Sequence, residues 1–480
     1  MTKETIRNYL SRNNFYTTYG KIAKIVGTTV EATGLTCNIG DVCRVYSTTG
    51  NKELLSEVVG FKDNRVILMP YEDIEGIGYG STVKNTNAKL MVKVSNGLIG
   101  RTVNALCEPI DDLGPVVVRK EIEDVQTDND NPEVLSGFGE PQTVSSAEFN
   151  DLNTFCPDSD GKWYSIQGVS SNPMKRPPIK EPIQIGVKAI DGMLTIGKGQ
   201  RMGIFAGSGV GKSTLMGMIA RNVVADVNVI ALVGERGREL LEFINRDLGE
   251  DGLKRSVVVV ATSDQPAMMR SKCALTATTI AEYFRDQGKD VLLMMDNLTR
   301  YCMAQREIGL SAGELPVARG YTPSIYATLP KLLERSGNFE KGSITGIYAV
   351  LVEGDDSNEP ISDTVRGIID GHIMLSRKIA MRNHYPSIDV LGSISRLMSE
   401  IASPEHKRVA GELRKLMAAY QDSQDLISIG AYKPGSNPVL DTAVRKIESI
   451  NAFLQQPTTT GVPFEETVNQ MNIIADGDKK

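Results

Sequence analysis

The residues Ala206-Gly207-Ser208-Gly209-Val210-Gly211-Lys212-Ser213-Thr214 have the types needed to hold a string of phosphates. Glycines let successive backbone N–H groups turn inward around phosphate oxygens, and a following helix N-terminus adds a favourable dipole. Lys212 brings a cation to the β- and γ-phosphates, and the Ser213 hydroxyl is a ligand for Mg2+. The run follows the apolar segment Met202-Gly203-Ile204-Phe205 and leads into the helical pattern Leu215-Met216-Gly217-Met218-Ile219-Ala220. That is the strand–loop–helix setting of a phosphate-binding P-loop. The strict pattern opens on glycine, and Ala206 stands there instead. The chain is expected to bind ATP with Mg2+, cradled by Gly207, Ser208, Gly209, Val210, Gly211, Lys212, Ser213 and Thr214.

Hydrolysis needs more than a cradle: a carboxylate for the metal, a group that positions water, and positive charge at the transferring phosphoryl. Leu292-Leu293-Met294-Met295-Asp296 is an apolar strand ending in a carboxylate, which places Asp296, with Ser213, on the metal. The apolar run Val227–Val233 ends in Gly234-Glu235-Arg236-Gly237-Arg238-Glu239. Glu235, at the carboxyl edge of a sheet, faces the crevice where open α/β sheets bind ligands and is placed to polarise the attacking water. A surface salt bridge with a neighbouring arginine is the plainer alternative for Glu235. The pairs Met268-Met269 and Met294-Met295 read as core filler, and Cys302 as buried and inert.

At 480 residues the chain is too long for one core, and about 150 residues per domain points to three. It is 41% hydrophobic and 23% charged, with formal net charge −6, which argues against a general nucleic-acid binder. The six cysteines show no metal-ligand spacing and read as reduced thiols of a cytoplasmic protein, and the three histidines lie too far apart to form a local metal site. No apolar run is long enough to span a bilayer, and the N-terminus has no signal-peptide core, so the protein is expected to be soluble and not secreted.

These residues need elements to position them. Residues 1–15 fit a short amphipathic helix with Ile6, Tyr9 and Leu10 on one face, either a cap or a docking segment. From Gly20 to Val94 short strands alternate with turn residues: Gly20–Val26, Val42–Tyr46, Leu54–Phe61, Arg65–Met69 and Leu90–Val94. That spacing predicts a small β-barrel. Residues 121–160 hold many carboxylates and no Lys or Arg, as a surface insertion would. The segment 171–182 is a stiff proline-rich connector. Beyond it, the strands Arg201–Phe205, Val227–Val233, Ser256–Thr262, Val291–Asp296, Thr345–Leu351 and His372–Leu375 alternate with helical patterns. Continuously apolar strands of this kind belong to a parallel sheet covered on both faces. From about residue 401 the pattern is helical, with Glu412–Tyr420, Pro438–Leu454 and Phe464–Ile474 as successive helices. The expected units are an N-terminal helix (1–18), a barrel (19–96), a nucleotide domain (97–398, carrying the insertion 121–160) and a C-terminal helical domain (399–480).

Four longer blocks resemble a known family: residues 296–310 (Asp-Asn-Leu-Thr-Arg-Tyr onward), 323–335 (Pro-Ser-Ile-Tyr-Ala-Thr-Leu-Pro onward), 352–361 (Val-Glu-Gly-Asp-Asp-Ser-Asn-Glu-Pro-Ile) and 370–377 (Asp-Gly-His-Ile-Met-Leu-Ser-Arg). They are similar to flagellar and type III secretion export ATPases, relatives of the catalytic subunits of rotary ATP synthases. The likeness covers about residues 18–120 and 165–455. It implies an α/β fold with a RecA-like P-loop core between an N-terminal β-barrel and a C-terminal helical domain. It also implies a homohexamer with ATP and Mg2+ at subunit interfaces. Lys212 and Ser213 match P-loop positions, Glu235 the water-activating glutamate, Arg236 a phosphate-contacting neighbour and Asp296 the metal aspartate. Arg396, in Ser393-Ile394-Ser395-Arg396, resembles an arginine finger reaching into a neighbouring subunit, and Tyr385 an aromatic that stacks on adenine.

The resemblance implies a motor for flagellar protein export, cytoplasmic and peripheral to the inner face of the membrane. Its implied partners are a stalk-like coiled-coil protein, a regulator of the N-terminal helix, chaperone–substrate complexes and a membrane export gate, with no specific nucleic acid. The injectisome ATPase is a near neighbour. A non-catalytic ring subunit would lack Glu235, and a rotary-synthase catalytic subunit would carry a denser acidic loop than Gln421-Asp422-Ser423-Gln424-Asp425. An RNA-translocating hexamer would want a basic, aromatic barrel, which residues 20–95 are not.

Overall fold

A computed structural model describes residues 18–48, 52–116, 161–168, 172–352 and 359–477. The expected N-terminal helix, the acidic insertion 121–160 and residues 353–358 of the third family block lie outside these ranges.

Six strands close a barrel in the order β1-β2-β5-β4-β3-β6. They are β1 (Tyr19–Val26), β2 (Thr29–Thr33), β3 (Asp41–Tyr46), β4 (Glu53–Lys62), β5 (Arg65–Pro70) and β6 (Thr82–Lys89). Inward residues including Ile22, Val30, Val45, Leu54, Leu68 and Val83 fill it. The β4–β5 hairpin turns on Asp63-Asn64, both at positive φ, which suits a two-residue turn between twisted strands. Two strands had no clear sequence signal. β6 in particular turns Asn85 inward, where its amide donates to Thr36 O at 2.9 Å, so the apolar alternation breaks. The expected barrel strand at Leu90–Val94 is a correction: β7 (Met91–Val94) pairs with β9 (Lys162–Ser165) outside the barrel.

The central sheet runs β17-β16-β10-β15-β13-β11-β12-β8, where β8 is Thr102–Asn104, β10 Arg201–Ala206, β11 Val227–Glu235, β12 Ser256–Thr262 and β13 Asp290–Asp296. β14 (Gly337–Asn338) is a short antiparallel partner of β15 (Ser343–Leu351), and β16 (Gly371–Leu375) pairs antiparallel with β17 (Ile388–Ser395). The remaining pairings are parallel. β11 is buried at every position because both faces are covered. Val229, Ala231 and Val233 share a core with the helix Ala267–Asp286, while Ile230 and Leu232 share the opposite core with the helix Lys212–Asn222. Met268, Met269, Met294, Met295 and Cys302 are all buried core, as expected.

The connector is fastened to the nucleotide domain rather than free. Arg176 stacks 4.9 Å from the Phe339 ring and pairs with Glu334 at 3.3 Å. The C-terminal helices are Pro404–Asp422, Pro438–Leu454 and Phe464–Asp476. The first begins eight residues before the expected Glu412, because Ser403-Pro404 supplies an N-cap: the Ser403 hydroxyl accepts from His406 N at 3.1 Å. Its His406 ring reaches Gly192 O at 2.7 Å and so joins the helices to the nucleotide domain.

Candidate active site

The P-loop leaves the carboxyl end of β10 and enters the helix Lys212–Asn222. Gly209 and Gly211 adopt φ of +77° and +88°, the left-handed conformation that lets the loop curl back on itself. Ser213 and Thr214 follow in the first turn of the helix. The loop is latched from behind, since the buried Ser387 hydroxyl donates to Val210 O at 2.6 Å. Beside it, the Tyr385 ring lies over Gly211, 3.6 Å from where a Cβ would stand. Tyr385 is 41% exposed, so its ring is open to solvent beside the loop and not packed in the core. Gln456 N donates to Tyr385 O at 3.1 Å, bringing the C-terminal region to the same place. A cavity of about 750 Å3 opens next to Ala206 and Gly207, between Met374, Leu375, Tyr420 and Gln455.

β11 and β13 end on the same edge of the sheet as β10, which delivers Glu235 and Asp296 to the crevice. Lys212 Nζ contacts Asp296 Oδ1 and lies 3.7 Å from Glu235 Oε1. Glu235 is 8% exposed and Asp296 3% exposed, so these charges meet in a poorly solvated place. Burial first, and the neighbouring Asp296 second, push the Glu235 carboxyl up to about 7, against the pull of Lys212 and Arg300.

Sequence reasoning overlooked two residues that hold Glu235. The Asn297 amide donates to Glu235 Oε1 at 2.8 Å, while its Oδ1 caps the next helix by accepting from Arg300 N at 2.8 Å. Arg300 Nε lies 3.7 Å from Glu235 Oε1, and its Nη1 donates to Gly234 O. Gly234 permits this approach, since a Cβ there would meet Arg300 Cδ at 3.0 Å. Both residues stand in the Asp-Asn-Leu-Thr-Arg block that follows the strand ending in Asp296.

Arg236, expected beside phosphate, is not in this cluster. It precedes the helix Gly237–Glu242 with its side chain 74% exposed, and pairs with Glu239 at 3.3 Å. The plainer alternative, a surface salt bridge, thus describes Arg236 and not the buried Glu235.

Arg396 lies at the other edge of its own sheet. Its N–H donates to Asp370 O, and Asp370 N–H donates to Arg201 O at the start of β10. The six residues of β10 separate this edge from the P-loop by about 17 Å along the strand. Arg396 is therefore apart from the P-loop of its own chain.

Among the described residues no three His, Cys, Asp or Glu side chains cluster as a metal cage. The oxygens of Asp296 and Ser213 instead suit a hard cation that takes its other ligands from phosphate and water, as Mg2+ does.

Comparison with known proteins agrees with this fold. Residues 186–395 match the model of the ATP synthase alpha/beta family nucleotide-binding domain, residues 22–87 that family's beta-barrel domain, and residues 402–473 the T3SS EscN ATPase C-terminal domain. The flagellum-specific ATP synthase of Bacillus subtilis (strain 168) is 48% identical, over 98% of each chain. The type 3 secretion system ATPase of Xanthomonas euvesicatoria is 44% identical, over 95% of this chain and 94% of that one. The assembled ATPase EscN from the enteropathogenic E. coli type III secretion system superposes with a TM-score of 0.81 at 40% identity, covering 95% of this chain and all of that one. The chain belongs to the flagellar and type III secretion ATPases of the ATP synthase alpha/beta family.

Proposed function

We propose that this ATPase is the homohexameric motor of a flagellar protein export apparatus, binding ATP with Mg2+ where subunits meet. The observation that carries the reading is the meeting of Lys212, Glu235 and Asp296 at the carboxyl ends of one sheet. The N–H groups of residues 207–214 cradle the phosphates, and Lys212 turns from Asp296 toward them. Asp296 and the Ser213 hydroxyl would hold Mg2+, which when bound neutralises charge on the β- and γ-phosphates. Glu235, kept oriented by Asn297, accepts a proton from the attacking water. Arg236 reaches phosphate by leaving its exposed pair with Glu239, which holds it weakly. Tyr385 stacks on the base, and Arg396 enters the site of the adjacent subunit. The units bounded at residues 18, 96 and 398 act as helix, barrel, nucleotide domain and C-terminal domain.

The flagellar reading is favoured by the 48% identical Bacillus relative. An injectisome reading is favoured by the match of residues 402–473 to the EscN C-terminal domain. EscN has also been solved in complex with its central stalk EscO. By analogy the partners here are a stalk-like coiled coil, a regulator of residues 1–15, chaperone–substrate complexes and a membrane export gate. No described helix is long and apolar enough to cross a membrane, and we place the protein in the cytoplasm at the inner face of the membrane.

The test is steady-state ATP hydrolysis across a protein dilution series, with mass photometry on the same samples. Turnover per chain that rises as hexamers form is expected. Arg396→Ala should keep ATP binding and lower hydrolysis in those hexamers. Tight ATP binding with no turnover in formed rings would overturn the motor and leave a nucleotide-binding ring subunit.

A further inference from the structure

Tyr385 is placed by what grips its backbone. Its exposed ring lies over Gly211, and its hydroxyl has no hydrogen bond among the described residues. Two bonds hold the main chain around it. On one side the Ser387 hydroxyl donates to Val210 O, and on the other Gln456 N donates to Tyr385 O at 3.1 Å. Gln456 is the second residue beyond the helix Pro438–Leu454, so this grip comes from the C-terminal domain.

Gln456 is 4% exposed, and its side-chain amide is met on both ends. Oε1 accepts from Lys188 N at 2.8 Å, while Nε2 donates to Gly186 O at 2.8 Å and to Thr460 O at 2.7 Å. Lys188 N is the first N–H of the helix Lys188–Met193, where Val187 supplies no side-chain cap, so the Gln456 oxygen takes up a donor that the helix leaves over. The loop that follows is clamped along the helix leaving the P-loop. Arg221 Nη2 donates to Thr458 O, and at Gly461 a Cβ would meet Asn222 Oδ1 at 2.5 Å. A buried amide whose oxygen and nitrogen are all committed has one orientation. The side chain therefore fixes the Gln456 main chain, and with it the N–H that points at Tyr385 O. None of these bonds reaches Lys212, Glu235 or Asp296.

We propose that Gln456 is a positioning residue for the nucleotide base, holding the Tyr385 ring over the P-loop so that the base meets a surface already in place. The inference rests on the reading of Tyr385 as the stacking ring and deepens it. Base affinity is set from the C-terminal domain, while the chemistry at Glu235 is set by the sheet. A ring held in its bound position costs less to order when the nucleotide arrives.

The test separates base from phosphate. The full chain is titrated with a non-hydrolysable ATP analogue and, separately, with Mg2+-tripolyphosphate, which carries phosphates and no base. Gln456→Met keeps the length and removes all three side-chain bonds; it should weaken the analogue by about tenfold, on the scale of one base–aromatic stack, and leave tripolyphosphate unchanged. In assembled rings KM for ATP should rise by the same factor with kcat retained. Tyr385→Leu should weaken the analogue in the same way. Tyr385→Leu combined with Gln456→Met should bind it no more weakly than Tyr385→Leu alone, because Gln456 acts through the ring. Gln456→Asn, whose amide is one methylene short, should fall between wild type and Gln456→Met, and it carries the test if Gln456→Met does not fold. Weakening of both ligands alike would make Gln456 a support of the loop in general and overturn the proposal, as would additive losses in the double variant. A loss with Tyr385→Leu and none with either Gln456 variant overturns the proposal and leaves the stacking reading standing. No loss with Tyr385→Leu overturns the stacking reading itself, and the proposal with it.

Discussion

The Asn297 amide donates to Glu235 Oε1 at 2.8 Å, from the residue directly after the Asp296 carboxylate. Its orientation is not free, because its oxygen is committed to capping the helix Leu298–Ser311. The cap thus decides that Glu235 meets a donor. Asn297→Asp keeps the capping oxygen and replaces the donor with a second carboxylate. We expect turnover to fall by on the order of tenfold or more, with ATP binding retained. Single-turnover kinetics beside a fluorescent-nucleotide titration measure both, and wild-type turnover would remove the positioning role.

Glu235 itself is tested by Glu235→Gln, which keeps shape and can still meet Asn297 through its amide oxygen. ATP binding should persist and turnover drop by on the order of a hundredfold, as when a general base is lost. Retained turnover would show that the water is activated elsewhere.

The fold class was legible because a buried parallel sheet writes continuous apolar runs, as in Val227–Val233, and a phosphate loop needs glycines at fixed places. What stayed hidden depends on contacts between distant segments. β6 carries Asn85 in the core because Thr36 O awaits it across the barrel. Arg236 and Arg300 both lie close in sequence to an expected site carboxylate, and neither composition nor spacing shows which one turns inward. The approach of Arg300 across Gly234 decides it.

Ser387 holds the back of the P-loop. Ser387→Ala removes the bond to Val210 O at 2.6 Å and leaves a buried carbonyl unmet, a cost of about 1–2 kcal/mol. Because Val210 lies between the two left-handed glycines, the loop should sample more shapes and bind ATP several-fold more weakly. Isothermal titration with a non-hydrolysable ATP analogue checks this, and unchanged affinity with lowered stability would confine Ser387 to packing.

His406 gives the fold a pH dependence. Its pKa is lowered from 6.5 chiefly by burial, against the bond to Gly192 O, which raises it. In the folded chain it therefore binds fewer protons than in the unfolded chain just below pH 6.5. Its contribution is present above that value and is lost as pH falls through the lowered pKa. His372 and His384 are also lowered and act with the same sign. Melting temperature should decline from about pH 7 to about pH 5, and His406→Gln should flatten the decline. An unchanged slope in the variant would assign the effect to the other two histidines.

Barrel and nucleotide domain are joined by a buried polar triad. Lys272 Nζ donates to Glu57 Oε1 at 2.8 Å and Oε2 at 2.7 Å, and Tyr71 O–H donates to Glu57 Oε2 at 2.5 Å. Glu57 and Lys272 are each 7% exposed and Tyr71 1%. Burial, then the Glu57 charge, hold the Tyr71 hydroxyl well above its ordinary pKa, so it stays a donor. Removing one charge strands the other: Lys272→Met should cost about 3–5 kcal/mol, because the Glu57 carboxylate keeps its burial and loses its counter-ion. Lys272→Met with Glu57→Gln leaves no buried charge, and Gln can still accept from Tyr71, so the double variant should be more stable than Lys272→Met alone. Chemical denaturation of the four combinations measures the coupling. A double variant as unstable as the sum of the singles would show that Lys272 contributes by packing, with no coupling through charge.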